Sequence, residues 1–173
     1  VITSPATSFN VGFLTIVQEA SGLVGGYLVT NQWGRPLEFR LSTAVQPNRV
    51  QQILYAGTLQ PYLCGDLIGK TLVEKTATPV RLVVTDRQDA LDLRLRFESP
   101  VVWLAPSEET SGLVVRSAEG NAPAVICHSR FPADVEATRE LLGTIADLDL
   151  TEPFLRIREA MTEARKMGVT QRN

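Results

Sequence analysis

The sequence predicts an α/β (or α+β) domain built on one mixed sheet, and three observations carry that expectation. Residues 12–41 alternate with period two between Gly-rich turns, and residues 49–72 switch to helical spacing. Two apolar runs, 79–85 and 100–105, then flank a short charged stretch in the order strand, crossover, strand. One domain is expected over residues 1–167, with 168–173 a frayed tail lacking any apolar pattern.

The first element is an antiparallel β-meander. Ser21-Gly22, Gly25-Gly26 and Gly34-Arg35-Pro36 punctuate it, and its first strand is apolar on both faces near its start, as a central strand would be. In its third strand Leu37, Phe39 and Leu41 alternate with Glu38, Arg40 and Ser42, so Glu38 and Arg40 are expected to share a wet face. Asn48 is a suitable N-cap for the next element, a long helix whose apolar stripe runs Val50, Ile53, Leu54, Leu59, Leu63, Leu67, Ile68 and Leu72. Pro61 is expected to break or restart it. Gly57, Pro61, Gly65 and Gly69 recur every four residues, leaving one side open to close approach by the protein's own sheet rather than by an oligomer partner.

Pro79–Thr85, a helix over Asp86–Phe97, and Pro100–Ala105 then read as a βαβ unit with parallel strands, although Leu91, Leu93 and Leu95 do not form a clean helical stripe. Residues 106–112 are polar and read as an exposed loop. Gly112–Ser117 and Ala124–His128 flank Ala118-Glu119-Gly120-Asn121 as a β-hairpin extending the same sheet. Two amphipathic helices close the chain: one with Val135, Leu141, Leu142, Ile145 and Leu148 inward, and one with Phe154, Ile157, Met161 and Ala164 inward.

Length and charge exclude several classes of function. A chain of 173 residues buries enough apolar surface to fold without a disulfide or metal staple. Seventeen basic and nineteen acidic side chains give a formal charge of −2, so there is no large positive field for general nucleic-acid binding. No apolar run approaches the ~20 residues of a membrane span, and Val1–Asn10 lack signal-peptide character, so no membrane role and a cytoplasmic setting are expected. Cys64 and Cys127 lie in apolar stretches and read as reduced core thiols.

The chemistry-bearing residues are sparse. His128 is the sole histidine, and no Gly-x-Ser-x-Gly elbow supports a triad built from it with Ser129 or Ser107 and Asp86. Cys127 and His128 are strand neighbours and point to opposite faces. One histidine and two distant cysteines do not make a zinc set, and Asp86, Asp89, Asp92, Glu108 and Glu109 read as a charged helix start and loop rather than a magnesium site. Neither Gly-x-Gly-x-x-Gly nor a complete Walker pattern occurs, so no cofactor and no metal are predicted.

Two places remain. Ligands of open α/β sheets sit beyond the carboxyl ends of strands, where Asp86, Ser107, Glu108, His128 and Ser129 would form a polar rim if the strands run parallel. Trp33, Arg35, Glu38, Arg40 and Arg49 surround the third strand and the entry to the long helix, and an aromatic beside arginines is the composition of an interface hot spot. The leading expectation is therefore a non-catalytic binding or assembly protein acting through a protein partner or self-association. The alternative is a small hydrolase or transferase, or a small-ligand sensor, with its site near Asp86, Ser107 and His128. A pocket placing His128 within hydrogen-bond reach of a carboxylate favours the alternative; an exposed apolar patch at Trp33 favours a partner.

Overall fold

The computed structural model describes residues 8–106 and 112–168. Seven strands form one mixed sheet in the order β3-β2-β1-β4-β5-β7-β6. β1 (Val11–Glu19), β2 (Gly22–Thr30) and β3 (Pro36–Leu41) are the antiparallel meander. β1 also pairs in parallel with β4 (Leu82–Thr85), which pairs in parallel with β5 (Val101–Ala105). β7 (Ala124–Cys127) lies antiparallel between β5 and β6 (Leu113–Arg116). β1 is thus an interior strand, which is why it is apolar on both faces.

Each face of the sheet has its own helical layer. On one side Leu14, Ile16, Tyr27, Val29, Val83 and Val101 pack against Leu63, Ile68 and Leu72 of the long helix and Leu93 of the crossover. On the other, Phe13, Val24, Leu28, Val84 and Val102 meet the helix Asp134–Thr144 and the C-terminal helix Glu152–Lys166 through Leu141, Leu142, Phe154, Ile157 and Met161. Phe13 and Phe154 meet edge to face at 5.7 Å between ring centroids, a geometry that adds to the burial of both rings. The C-terminal helix has Pro153 in its first turn, where a missing N–H costs nothing.

The long helix runs from Arg49 to Lys75, 27 residues, in joined segments. Asn48 caps it as expected, with a full capping box: the Gln51 N–H donates to Asn48 Oδ1 at 2.8 Å, and the Asn48 N–H donates to Gln51 Oε1 at 3.0 Å. The first segment, Arg49–Tyr55, stops at Ala56, whose φ of +48° with ψ of −124° is a sparsely populated conformation that costs a non-glycine residue roughly 1–3 kcal/mol. A single 3-10 turn, Ala56–Thr58, follows, and the helix restarts at Leu59 with Pro61 inside the new first turn. The break therefore precedes the proline. Tyr62–Gly69 is π-helical, and there Gly65 and Gly69 admit the crossover segment and Leu14 at close range.

Several details depart from the sequence reading. The crossover between β4 and β5 is a 3-10 helix, Gln88–Arg96, not an α-helix. Its buried residues, Ala90 and Leu93, are three apart, one full 3-10 turn, and so lie on the same side. The strand proposed from Pro79 begins only at Leu82. Val50, Ile53 and Leu54 are not core: no residue of Arg49–Tyr55 is buried, because that segment lies outside the helical layer. The wet and dry faces of β3 are also not as expected. Leu37 and Phe39 are exposed while the Glu38 side chain is 16% exposed, because the C-terminal helix covers β1 and β2 and stops short of β3.

Candidate functional site

β4 and β5 end side by side, and a cavity of about 520 Å³ opens beyond them. Its floor is Trp103, Leu104 and Phe154, and its polar wall is Asp86 with Arg158 of the C-terminal helix. The Arg158 guanidinium donates to one Asp86 carboxylate oxygen. The other oxygen, Oδ1, is buried without a hydrogen-bond partner among the described residues. An apolar pocket with a few polar groups of fixed orientation is the usual form of a small-molecule site.

A second cavity, about 420 Å³, lies over β5 and β7 beside the 3-10 crossover, lined by Asp89, Asp92, Trp103, Ile126, His128 and Ser129. Here His128 Nε2 lies 3.0 Å from Asp92 Oδ1, and the Arg130 N–H donates to His128 Nδ1 at 3.1 Å. An imidazole nitrogen that accepts a backbone N–H leaves its proton on the other nitrogen, so His128 donates Nε2–H to Asp92. Both ring nitrogens are engaged, and neither offers a lone pair to a substrate. The ring is further held edge to face with Phe131 at 5.4 Å. His128 thus ties the loop after β7 to the crossover.

The strand-end residues do not form one rim. β7 runs antiparallel to β5, with Cys127 opposite Val102, whereas Thr85 lies opposite Trp103. His128 and Ser129 therefore leave β7 at the end where β5 begins, and Asp86 leaves β4 at the end where β5 finishes. Ser107 and Glu108 lie outside the described residues. The acidic set Asp86, Asp89 and Asp92 is likewise split, Asp86 to Arg158 and Asp92 to His128. Among the described residues no group of three or more His, Cys, Asp or Glu could hold a metal ion. The thiols are turned inward: burial pushes Cys64 up to about 11 and also raises Cys127, whose Sγ contacts Thr138 Oγ1 at 3.7 Å.

The other place is the rim of β3. Asn31 Oδ1 accepts the N–H groups of Trp33 and Arg35, both at 3.0 Å, and Gly34 takes a φ of +84°. That turn is clamped to the C-terminal helix by Arg156, whose Nη1 donates to the Gly34 carbonyl at 2.9 Å. The clamp leaves Trp33 75% exposed, and on β3 Leu37 is 47% and Phe39 38% exposed. On the opposite face of β3, Glu38 accepts from Arg40 Nε at 2.7 Å, from the N–H groups of Ala77 and Thr78 at 3.1 Å each, and from Thr78 Oγ1 at 3.0 Å. Those donors, Arg40 foremost, hold its carboxyl down at about 2. Arg49 belongs to a different element, the first helical segment, where it bonds Gln52 at 3.4 Å. Leu37 and Phe39 were missed as surface residues because strand alternation marks which residues share a face, not whether anything covers it.

Among the described residues no helix is long and apolar enough to cross a membrane. A scan against protein-family models finds no match, and a search of curated proteins finds no relative.

Proposed function

We propose that this is a non-catalytic binding or assembly protein that works through protein–protein contacts at the β3 rim. One observation carries this reading: Leu37 and Phe39 are exposed on an outer strand that, among the described residues, pairs on one side only, and Trp33 is exposed in the turn that leads into it. Large apolar side chains beside free backbone donors and acceptors suit strand addition by a partner, in which the backbone supplies affinity and the side chains supply selectivity. His128 does lie in a pocket within reach of a carboxylate, 3.0 Å from Asp92, which favours an enzyme or sensor. The Arg130 N–H takes its other nitrogen, however, so the ring keeps no lone pair for a substrate, and this supports the protein-binding reading. The test is a photo-crosslinking residue placed at Trp33 or Leu37 in the cell that makes the protein, with a control at exposed Glu140. A crosslinked species of discrete mass from the β3 rim, absent from the control, is expected; its absence from both rim positions would overturn the reading.

A second reading, a small hydrolase, transferase or small-ligand sensor, is supported by the cavity beyond β4 and β5, where one Asp86 oxygen has no partner among the described residues. Thermal unfolding with a panel of nucleotides, metabolites and divalent metals tests it, because only binding to the native state raises the melting temperature. Under this reading one class of compound raises it, and Asp86→Asn or Arg158→Ala abolishes the rise.

A further inference from the structure

We propose that the β3 rim is occupied by a second copy of this chain, with the two β3 strands paired antiparallel about a twofold axis at Phe39. The inference rests on the protein-binding reading above and names its partner.

The backbone decides which groups are free. The Ser42 N–H donates to the Gly25 carbonyl at 2.9 Å, so Ser42 and, by alternation, Arg40 and Glu38 turn their backbone groups toward β2. Leu41, Phe39 and Leu37 turn theirs to the open side. Among the described residues no strand occupies that side. Pairing Phe39 with Phe39 of a second copy puts Leu37 opposite Leu41 and uses these outward groups. Pro36 and the irregularity between Val29 and Thr30 end the ladder at its other limit.

The side chains then select the register. Directly opposite residues share a face of the joined sheet. In the Phe39-centred register Glu38 of each copy faces Arg40 of the other, and the three odd-numbered residues form one apolar row on the opposite face. Sliding the partner by two residues one way sets Glu38 against Glu38; sliding it the other way sets Arg40 against Arg40. Like charges directly opposite are unfavourable, so the centred register is the one in which both faces of β3 are complementary to themselves. A twofold axis requires this property, because each copy presents the same patch.

The remaining edge of the sheet is less suited. β6 has four residues and a register shift, and Arg139 Nη2 donates to the Val115 carbonyl at 3.5 Å. A charged side chain on an edge carbonyl is a common device against further pairing.

The experiment is the mass in solution by light scattering across a concentration series reaching the millimolar range, with unfolding followed in parallel. The chain is expected to double its mass. Phe39→Pro removes an N–H that faces only the open side, so it is expected to leave the fold intact and give a monomer. Arg40→Glu sets carboxylates opposite each other at two places and is expected to weaken the dimer about tenfold or more. A chain carrying Glu38→Arg, mixed with one carrying Arg40→Glu, meets opposite charge at both places and is expected to restore the doubled mass as a mixed pair. Since Glu38→Arg also removes the anchor of Thr78, Phe39→Pro and Arg40→Glu suffice if that variant does not fold. A monomer throughout the series, or a dimer indifferent to Phe39→Pro, overturns the inference. A crosslink from Leu37 to a different protein, with the chain monomeric, overturns self-pairing while leaving the protein-binding reading intact.

Discussion

Gly65 and Gly57 lie on one helix, and the same substitution at each is predicted to have opposite effects. A Cβ on Gly65 would lie 2.7 Å from the Leu93 nitrogen, 2.8 Å from the Asp92 carbonyl carbon and 2.9 Å from Asp92 Cβ. Carbon contacts are optimal near 3.5–4.0 Å, so the crossover must retreat by roughly three-quarters of an ångström or more. Two of these neighbours are backbone, in a segment whose Ala90 and Leu93 are fully packed, so rotamer adjustment alone does not relieve them. Overpacking of this kind costs about 1–3 kcal/mol, against about 1 kcal/mol recovered by replacing glycine in a helix. Gly65→Ala is therefore expected to lose up to about 2 kcal/mol, lowering Tm by up to roughly 4–8 °C for a chain of this length. At Gly57 nothing lies within 4 Å, so Gly57→Ala keeps only the gain, about 0.4–1 kcal/mol. Urea unfolding followed by far-ultraviolet circular dichroism, at unchanged m-value, measures both. A Gly65→Ala protein stabilised as much as Gly57→Ala would refute the claim that this glycine exists to admit the crossover.

Three further outcomes are expected. Asp134→Ala strands the Arg94 guanidinium, which bonds Asp134 Oδ2 at 2.7 Å, donates to the Phe97 carbonyl at 2.8 Å and lies over the Phe131 ring. Its removal should cost about 3–5 kcal/mol in denaturant unfolding, and a cost below about 1 kcal/mol would mean the pair is solvated. Cys64 and Cys127 are buried with raised thiol pKa values, so neither should react with a thiol reagent at pH 8 until the protein is unfolded; fast native labelling of either would contradict this. Glu38 has its carboxyl held near 2 against an ordinary 4.5, so ionised Glu38 favours the folded state in full above about 4.5. That contribution falls as the pH drops toward 2, and Glu38→Gln should flatten acid unfolding in this window; an unchanged acid profile would show the carboxylate contributes nothing.

Much of the fold was legible because it rests on local signals. Gly-punctuated alternation marked the meander, Asn48 with Gln51 marked a helix start, and the two apolar runs marked parallel strands. The crossover was read as a helix and is one, Gln88–Arg96, but its 3-10 winding carries no residue pattern that an α-helix would not also tolerate. The candidate sites were less legible for a different reason. His128 meets Asp92 across 36 residues of sequence and Glu38 meets Thr78 across 40, contacts no spacing rule encodes. Whether Leu37, Phe39, Val50, Ile53 and Leu54 are covered depends on where the helical layers end, which side-chain periodicity does not report.

The helical segment Arg49–Tyr55 has a consequence for how the molecule breathes. It buries no residue, and it is fastened by its capping box at one end and by the stacking of Tyr55 on Tyr62, 4.3 Å between ring centroids, at the other. It also ends at the strained Ala56. Opening it therefore exposes little new apolar surface and releases strain, so its amides should exchange with solvent deuterium through a local opening far below the global unfolding free energy. Amides of β1 from Phe13 to Ile16, enclosed by both layers, should exchange only when the whole sheet comes apart. The chain thus joins two units of very different lifetime along one broken helix, with Ala56 as the seam between them.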